Sequence, residues 1–548
     1  MMMRRGIVLW IASLVVLLVL NCQWIAGCGA SLWQEWGNVG MWCWTALAAT
    51  VIVLPYVLFR RMWVSVVLLC GYYAVMLANL LYLRTFGNWI PPGAYVLVGN
   101  LPAFYDSVLD SFRASDLGVP MLITAGVWLE KRYGGKRPEI AGRWICLWLV
   151  MMLGGTLLTF SYPRSVFDEL KFLSDHHEEH ALGVSRYSLP IVLINDISGF
   201  PRLSDANRRQ VEHVLTRRII DRDSSELRNL VVIFMESLES WPVGLKVDGV
   251  EVTPVINSLM AEETTFSTIS VENCTGIGRS IDAQLLVLCG LLPPRDRVFS
   301  FAYPGNNYPS VFHAMKRKHE SRVYSFTTDH PDMYNIGTVS SRFGVDTLYV
   351  VEDRAYGRRL NDAEFFDNVA AKIESDSLWR DGRSTAMQIV TYSCHAPFRP
   401  VGDTCFAVPD EWPSTLRRYI SLVNYTDAAL GRFIGYLRTK PGYEQTLVVI
   451  VGDHPAFGPV RREEFAQYLP ACADGHIPLV MLNGRVGQAR IDMPRRQCEI
   501  YSAMISLLGL GDYGWHGISV PGASTSDEGP FDEYEISSLI LGYDLYRD

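Results

Sequence analysis

Histidine is absent from the first 161 residues, and charge is scarce there, with 11 Lys/Arg and 6 Asp/Glu. All 11 histidines lie in the remainder, which carries 38 basic and 51 acidic side chains. Internal repeats and low-complexity tracts are also lacking, which removes collagen, disorder and a small disulfide scaffold. The acidic balance of the second part argues against nucleic acid as a partner. What is present is apolar mass: 548 residues, 49% hydrophobic, mean hydropathy +0.13, with 11 of 15 tryptophans in the first 161 residues. A charge-poor, Trp-rich part joined to an ordinary charged part reads as membrane domain plus soluble domain.

A spanning helix needs about 20 apolar residues. Gly6–Gly27, Met41–Phe59, Met62–Leu83 and Trp144–Tyr162 carry no charge over that length, and Leu117–Leu129 is a shorter fifth candidate. The basic loops Met1–Arg5, Arg60–Arg61 and Lys131–Arg143 alternate along the chain, so the positive-inside rule puts all three in the cytoplasm. Five spans then place everything after Pro163 outside it. The expected organisation is a membrane domain (1–163), a juxtamembrane linker (164–229) and an extracytoplasmic catalytic domain (230–548), in a bacterial-type cytoplasmic (inner) membrane. Six cysteines fall in the exported part, and short-range pairs Cys274–Cys289 and Cys394–Cys405 are expected there, free buried thiols being the alternative.

From Leu230 apolar runs end abruptly in polar residues: Leu230–Met235, Arg322–Thr328, Gln388–Tyr392, Thr446–Val451 and Ile477–Leu482. Amphipathic stretches lie between them (Thr253–Glu263, Ala363–Glu374, Leu416–Thr439, Gln497–Leu508). Buried strands alternating with helices predict an α/β domain with a largely parallel sheet, whose ligands sit beyond the carboxyl ends of its strands. Those ends deliver Glu236, then Ser393-Cys394-His395, then Gly452-Asp453-His454, with His476 just ahead of the last run. Carboxylates and imidazoles converging on one sheet edge suit Zn²⁺ or Mn²⁺. Gly276 and Gly278 predict a tight turn before a helix starting near Ser280, whose free amides would face a phosphate. Ser280 is either a nucleophile or a plain helix cap, and Thr275 is the second candidate for the nucleophile. The run His176, His177, Glu178, Glu179, His180 reads as a solvated tract.

Met235-Glu236-Ser237-Leu238-Glu239, Gly278-Arg279-Ser280-Ile281-Asp282, Ser393-Cys394-His395-Ala396-Pro397-Phe398 and Gly452-Asp453-His454 occur in that order. The set resembles the sulfatase-fold phospholipid headgroup transferases of the alkaline phosphatase superfamily, which include lipoteichoic acid synthases, glucan phosphoglycerol transferases and lipid A phosphoethanolamine transferases. The resemblance implies a multi-span α-helical membrane domain followed by an alkaline-phosphatase/sulfatase-like domain. It implies Glu236, Asp453, His454 and the Ser280 oxygen as metal ligands, Ser280 as nucleophile, His395 as a catalytic group that stabilises or protonates oxygens at the phosphorus, and His395 and His476 as substrate contacts. Tyr334-Asn335-Ile336 stands where the lipoteichoic enzymes carry Trp-Asn-Arg, so Asn335 is carried over as a substrate contact and the arginine is not. The expected activity is metal-dependent transfer of a phosphoglycerol-type headgroup from a membrane phospholipid to an extracytoplasmic glycan, lipid or glycerol-phosphate acceptor. A phosphoethanolamine transferase, a phosphodiesterase or sulfuric-ester hydrolase of the same fold, and an inactive membrane-anchored binding protein are the alternatives. No Cys/Ser-x-Pro-x-Arg sequence for formylglycine is present.

Overall fold

A computed structural model describes residues 6–28, 32–36, 39–86, 90, 111–134, 182–187, 189, 203–216, 225–295, 297–353, 358–401, 406–484, 493–521 and 532–546. The chain divides into two compact units, one built mainly from the first 199 residues and the other from Phe200–Ala456 and Arg462–Asp548.

In the first unit, helices α1 (Ile7–Gly27), α2 (Val39–Phe59), α3 (Met62–Phe86) and α4 (Gly118–Tyr133) pack around Leu9, Val16, Leu20, Ile52, Met76, Leu80 and Ile123. Three stretches, Ile7–Gly27, Met41–Phe59 and Met62–Arg84, are long and apolar enough to cross a membrane. Exposed apolar side chains such as Val67, Met121 and Trp63 suit a hydrocarbon surround. At 16 residues α4 is shorter than a straight span requires, and the expected span Trp144–Tyr162 and the His/Glu run lie outside the described residues. The carboxylate of Glu130 on α4 accepts the backbone N–H groups of Gly6 and Leu9 at 2.8 and 3.1 Å, satisfying otherwise orphan donors at the start of α1. Arg84 grips Asp116 through two hydrogen bonds of 2.7 and 2.9 Å. The short helix Leu182–Tyr187, expected within the linker, belongs to this unit and buries Val184 in its core.

The second unit is an α/β domain. Its strands are β1 (Asn229–Met235), β2 (Phe266–Val271), β3 (Arg322–Thr327), β4 (Thr347–Val350), β5 (Thr385–Val390), β6 (Thr446–Gly452) and β7 (Ile477–Leu482). They form one sheet in the order β2-β7-β6-β1-β5-β3-β4. The five strands from β6 to β4 pair in parallel, and β7 runs antiparallel to both β6 and β2. Every residue of β1, β5, β6 and β7 is buried, as Val/Ile/Leu-rich runs must be when helices cover both faces. Each such Val, Leu or Ile contributes roughly 1.5–3 kcal/mol. Helices α5 (Ser280–Cys289), α6 (Asp362–Ser375), α7 (Ser414–Leu437) and α8 (Glu499–Leu507) complete the description needed here. α6 opens on a reciprocal cap, the Asn361 side chain accepting the Glu364 N–H at 3.0 Å.

Candidate metal and nucleophile site

The central strands β1 and β6 are parallel neighbours in the register Met235↔Gly452, so Glu236 and Asp453 leave the sheet side by side. Close approach at this point depends on Gly452: a Cβ there would lie 2.2 Å from the Leu238 carbonyl oxygen. The backbone N–H groups of Ser237 and His454 both donate to Asp453 Oδ1 at 2.7 Å. Asp453 Oδ2 is buried without a hydrogen-bond partner. The Ser237 hydroxyl donates to Glu236 Oε1 at 2.8 Å, and the Glu236 N–H donates to Thr391 Oγ1 beyond β5 at 2.9 Å.

Glu236, Asp453 and His454 are buried and each offers a ligand atom within 4.8 Å of the other two. His454 Nδ1 lies 3.0 Å from the Pro455 carbonyl, which holds the proton there and leaves the Nε2 lone pair 3.7 Å from both Glu236 Oε1 and Asp453 Oδ2. Burial, and then the charge of Asp453, pushes the Glu236 carboxyl well above the usual carboxylate range. Burial pushes the His454 imidazole down to about 4, so it is neutral at physiological pH. Two desolvated carboxylates with one bare oxygen, beside a neutral imidazole, form a costly group unless a cation shares it. Oxygen and imidazole donors of this kind fit a divalent metal.

Ser280 reaches this group. Its Oγ is 3.2 Å from Glu236 Oε2 and 3.3 Å from His454 Nε2. It opens α5, and the residue ahead of it, Arg279, adopts φ 52° and ψ −116°. The sequence predicted that the glycines would supply the unusual turn; the positive φ instead falls on Arg279. Gly276 and Gly278 serve close approach, because their N–H groups donate to Asp282 Oδ2 at 3.0 and 2.9 Å. A Cβ on Gly278 would meet Asp282 Oδ1 at 2.3 Å. The Thr275 hydroxyl donates to Asn273 Oδ1 at 2.9 Å.

The other predicted residues divide. His395 stacks on Tyr392 with ring centres 5.1 Å apart, and its Nδ1 lies 2.6 Å from the Ala396 carbonyl. Burial lowers its imidazole, while the charges of Asp329 and Asp453 oppose that shift. His476 pairs with Asp474 at a more exposed position, and the Asn335 amide donates to the Ser300 carbonyl at 3.1 Å. Two residues that sequence reasoning passed over complete the edge. Asp329, just beyond β3, bears electrostatically on Glu236 and His395. Arg359 lies 2.8 Å from Asp329 Oδ1 and 4.2 Å over the Tyr392 ring. Asp329 was findable, since the strand-end rule that selected Glu236 applies to Arg322–Thr327 as well; Arg359 carries no such signal. Cys274, Cys289, Cys394 and Cys498 are free buried thiols in place of the expected short-range pairs; Cys289 ends α5, and Cys274 interacts with Cys498. Cys394 contacts the Thr426 hydroxyl at 3.7 Å, and Cys405 lies outside the described residues.

The chain is 26% identical over 253 residues to lipoteichoic acid synthase-like YvgJ of Bacillus subtilis, covering 44% of this chain and 39% of that protein. It is 24% identical over 410 residues to a lipoteichoic acid synthase of Staphylococcus saprophyticus, covering 69% and 61% respectively. The matches thus span less than two thirds of either relative's length. Among solved structures, lipooligosaccharide phosphoethanolamine transferase A from Neisseria meningitidis aligns with a TM-score of 0.49 and 13% identity over 92% of this chain and 96% of that one. Residues 228–510 match the family model described as Sulfatase, which spans more than half of the sequence and covers every residue of the cluster. The chain belongs to the sulfatase family.

Proposed function

We propose that this protein transfers a phosphorus-containing headgroup, of the phosphoglycerol type, from a membrane phospholipid to an extracytoplasmic glycan, lipid or glycerol-phosphate acceptor. The observation that carries the reading is the placement of the Ser280 hydroxyl 3.2 Å from Glu236 and 3.3 Å from His454. Glu236, Asp453, His454 and the Ser280 oxygen would hold a divalent cation, Zn²⁺ or Mn²⁺. Such a cation supplies Lewis-acid activation of the hydroxyl and offsets charge gathering on phosphoryl oxygens.

In the chain's own chemistry, Ser280 Oγ attacks the phosphorus in line and the bond to the diacylglycerol oxygen breaks, leaving the headgroup phosphate on Ser280. His395 stabilises or protonates oxygens at the phosphorus; burial lowers its imidazole, and the charges of Asp329 and Asp453 oppose that shift only in part. Arg359, held by Asp329 and stacked on Tyr392, offers a cation to the phosphate. An acceptor hydroxyl then attacks the same phosphorus and frees Ser280, giving ping-pong kinetics. The apolar helices of the first unit tether the chain to the leaflet that holds the donor.

Intact-mass measurement of the full chain after incubation with phosphatidylglycerol or phosphatidylethanolamine tests this. A glycerol-phosphate adduct on Ser280 is expected. A phosphoethanolamine adduct would correct the headgroup, and diacylglycerol release with water as the only acceptor would convert the reading to a phosphodiesterase.

A further inference from the structure

Two buried cysteines meet at the base of the loop that leads to Ser280. Just ahead of that loop, Glu272 and Arg496 form an isolated parallel bridge. The Glu272 N–H donates to the Arg495 carbonyl at 2.7 Å, and the Gln497 N–H donates back to the Glu272 carbonyl at 3.0 Å. Past the bridge the second segment turns into α8, the Glu499 N–H donating to the Arg496 carbonyl at 3.0 Å and Cys498 capping the helix, while Cys274 follows Glu272 by two residues. The Cys274 N–H donates to Gln497 Oε1 at 3.3 Å, which keeps the two segments together past the bridge. Cys274 is 5% exposed and Cys498 fully buried; the Cys274 sulfur lies 3.7 Å from the Glu272 carbonyl, and the two thiols bear directly on one another.

We propose that Cys274 and Cys498 form a disulfide that fastens the Ser280 loop to the segment opening α8. The consequence reaches the metal cluster, because Gln497 also donates its amide to the Asp453 carbonyl at 2.8 Å. A bond at Cys274–Cys498 therefore fixes, in one place, the backbone leading to the candidate nucleophile and the segment bracing a candidate ligand. The oxidant is a protein or small-molecule disulfide of the extracytoplasmic space, so the inference rests on the proposed placement of this domain. One cysteine thiolate attacks that disulfide and displaces one of its sulfurs as a thiol; the second cysteine displaces the other. The pair loses two electrons and two protons, and the oxidant gains them as a dithiol. In the folded protein Cys498, and then the charge of Arg496, hold the Cys274 thiol below its usual range. Because both sulfurs are buried, the bond forms before the loop closes over them.

Peptide mapping of the full-length protein, alkylated under denaturing and non-reducing conditions, tests the assignment. A linked peptide pair containing Cys274 and Cys498, lost on reduction, is expected. Reductant should lower the melting temperature of the catalytic domain by about 5 °C, and a Cys274→Ala/Cys498→Ala double variant should be insensitive to reductant. Cys274 linked to any other cysteine, or both thiols still free after unfolding and refolding in excess oxidised glutathione, would overturn the proposal on whichever side of the membrane the domain lies. A linked pair in a protein that forms no Ser280 adduct would leave the disulfide standing and remove the headgroup reading.

Discussion

Ser237 donates its backbone N–H to Asp453 Oδ1 at 2.7 Å, across two strands that meet only because residues 216 apart in sequence are neighbours in the sheet. One oxygen of Asp453 is thereby saturated and the other left bare, so the carboxylate presents a single, oriented ligand atom. The bare oxygen is the feature that a metal explains.

Replacing Glu236, Asp453 or His454 by Ala should each reduce metal affinity by on the order of a hundredfold or more and abolish turnover while the domain stays folded. Metal analysis of the isolated variants checks this. Full occupancy in all three would move the site elsewhere. Chelation of the wild type should stop turnover, and added Zn²⁺ or Mn²⁺ should restore it.

Ser280→Ala should form no lipid-derived adduct and lose roughly four to six orders of magnitude in rate, as removal of a covalent nucleophile does. Ser280→Thr should keep part of the activity, since the hydroxyl survives. Thr275→Ala should keep the adduct, because its hydroxyl serves Asn273. An adduct that survives in Ser280→Ala and vanishes in Thr275→Ala would reverse the assignment.

Gly452→Ala should destabilise the domain by about 1–3 kcal/mol, since the added Cβ would meet the Leu238 carbonyl at 2.2 Å. The same clash displaces the neighbouring Asp453, so metal affinity should fall along with stability. Denaturant melts and metal titrations of the variant measure the two effects. A variant of unchanged stability and affinity would show that the strand end can yield.

Asp427 gives a pH dependence away from the cluster. It accepts the N–H groups of Val255 and Ile256 at 2.8 and 2.9 Å, yet burial pushes its carboxyl from 3.8 to about 6. A folded pKa above the unfolded one means that the folded state binds the proton more tightly. The stabilisation is therefore complete below the unfolded value and is lost as pH rises through about 6, an effect on the order of 3 kcal/mol. Asp427→Asn removes this titration. Denaturation of both proteins between pH 4.5 and 7.5 should give a stability difference that drifts with pH, and parallel curves would refute the assignment.

A reporter fused after Pro163 should be active only outside the cytoplasm, as the three basic loops require. Activity inside would remove the proposed donor from reach.

Much of the site was legible because buried parallel strands betray themselves as apolar runs that stop at a polar residue. Glu236, Asp453 and His454 follow β1 and β6 in that manner, and the structure gathers them. The rule says nothing about which strands adjoin, so the sequence alone could not rank Asp453 above His476, which ends beside Asp474 instead. The edge strands β2 and β4 escaped notice because Phe266–Val271 and Thr347–Val350 are mostly half-buried or exposed and make no continuous apolar run. Cysteine proximity was misjudged for a related reason. Cys274 and Cys289 are close in sequence but separated by the loop and the length of α5, whereas a bridge between Glu272 and Arg496 brings in Cys498 from a distant segment.

The pairing of β1 with β6 also sets a timetable. A growing chain that stops short of Thr446 owns Glu236 and Ser280 but neither Asp453 nor His454, so it has a hydroxyl and no cluster to activate it. Closing a loop of such length is slow relative to local helix formation, and the cluster can assemble only once β6 has docked. A newly made molecule would therefore stay chemically silent toward the surrounding lipid until the centre of its sheet is complete.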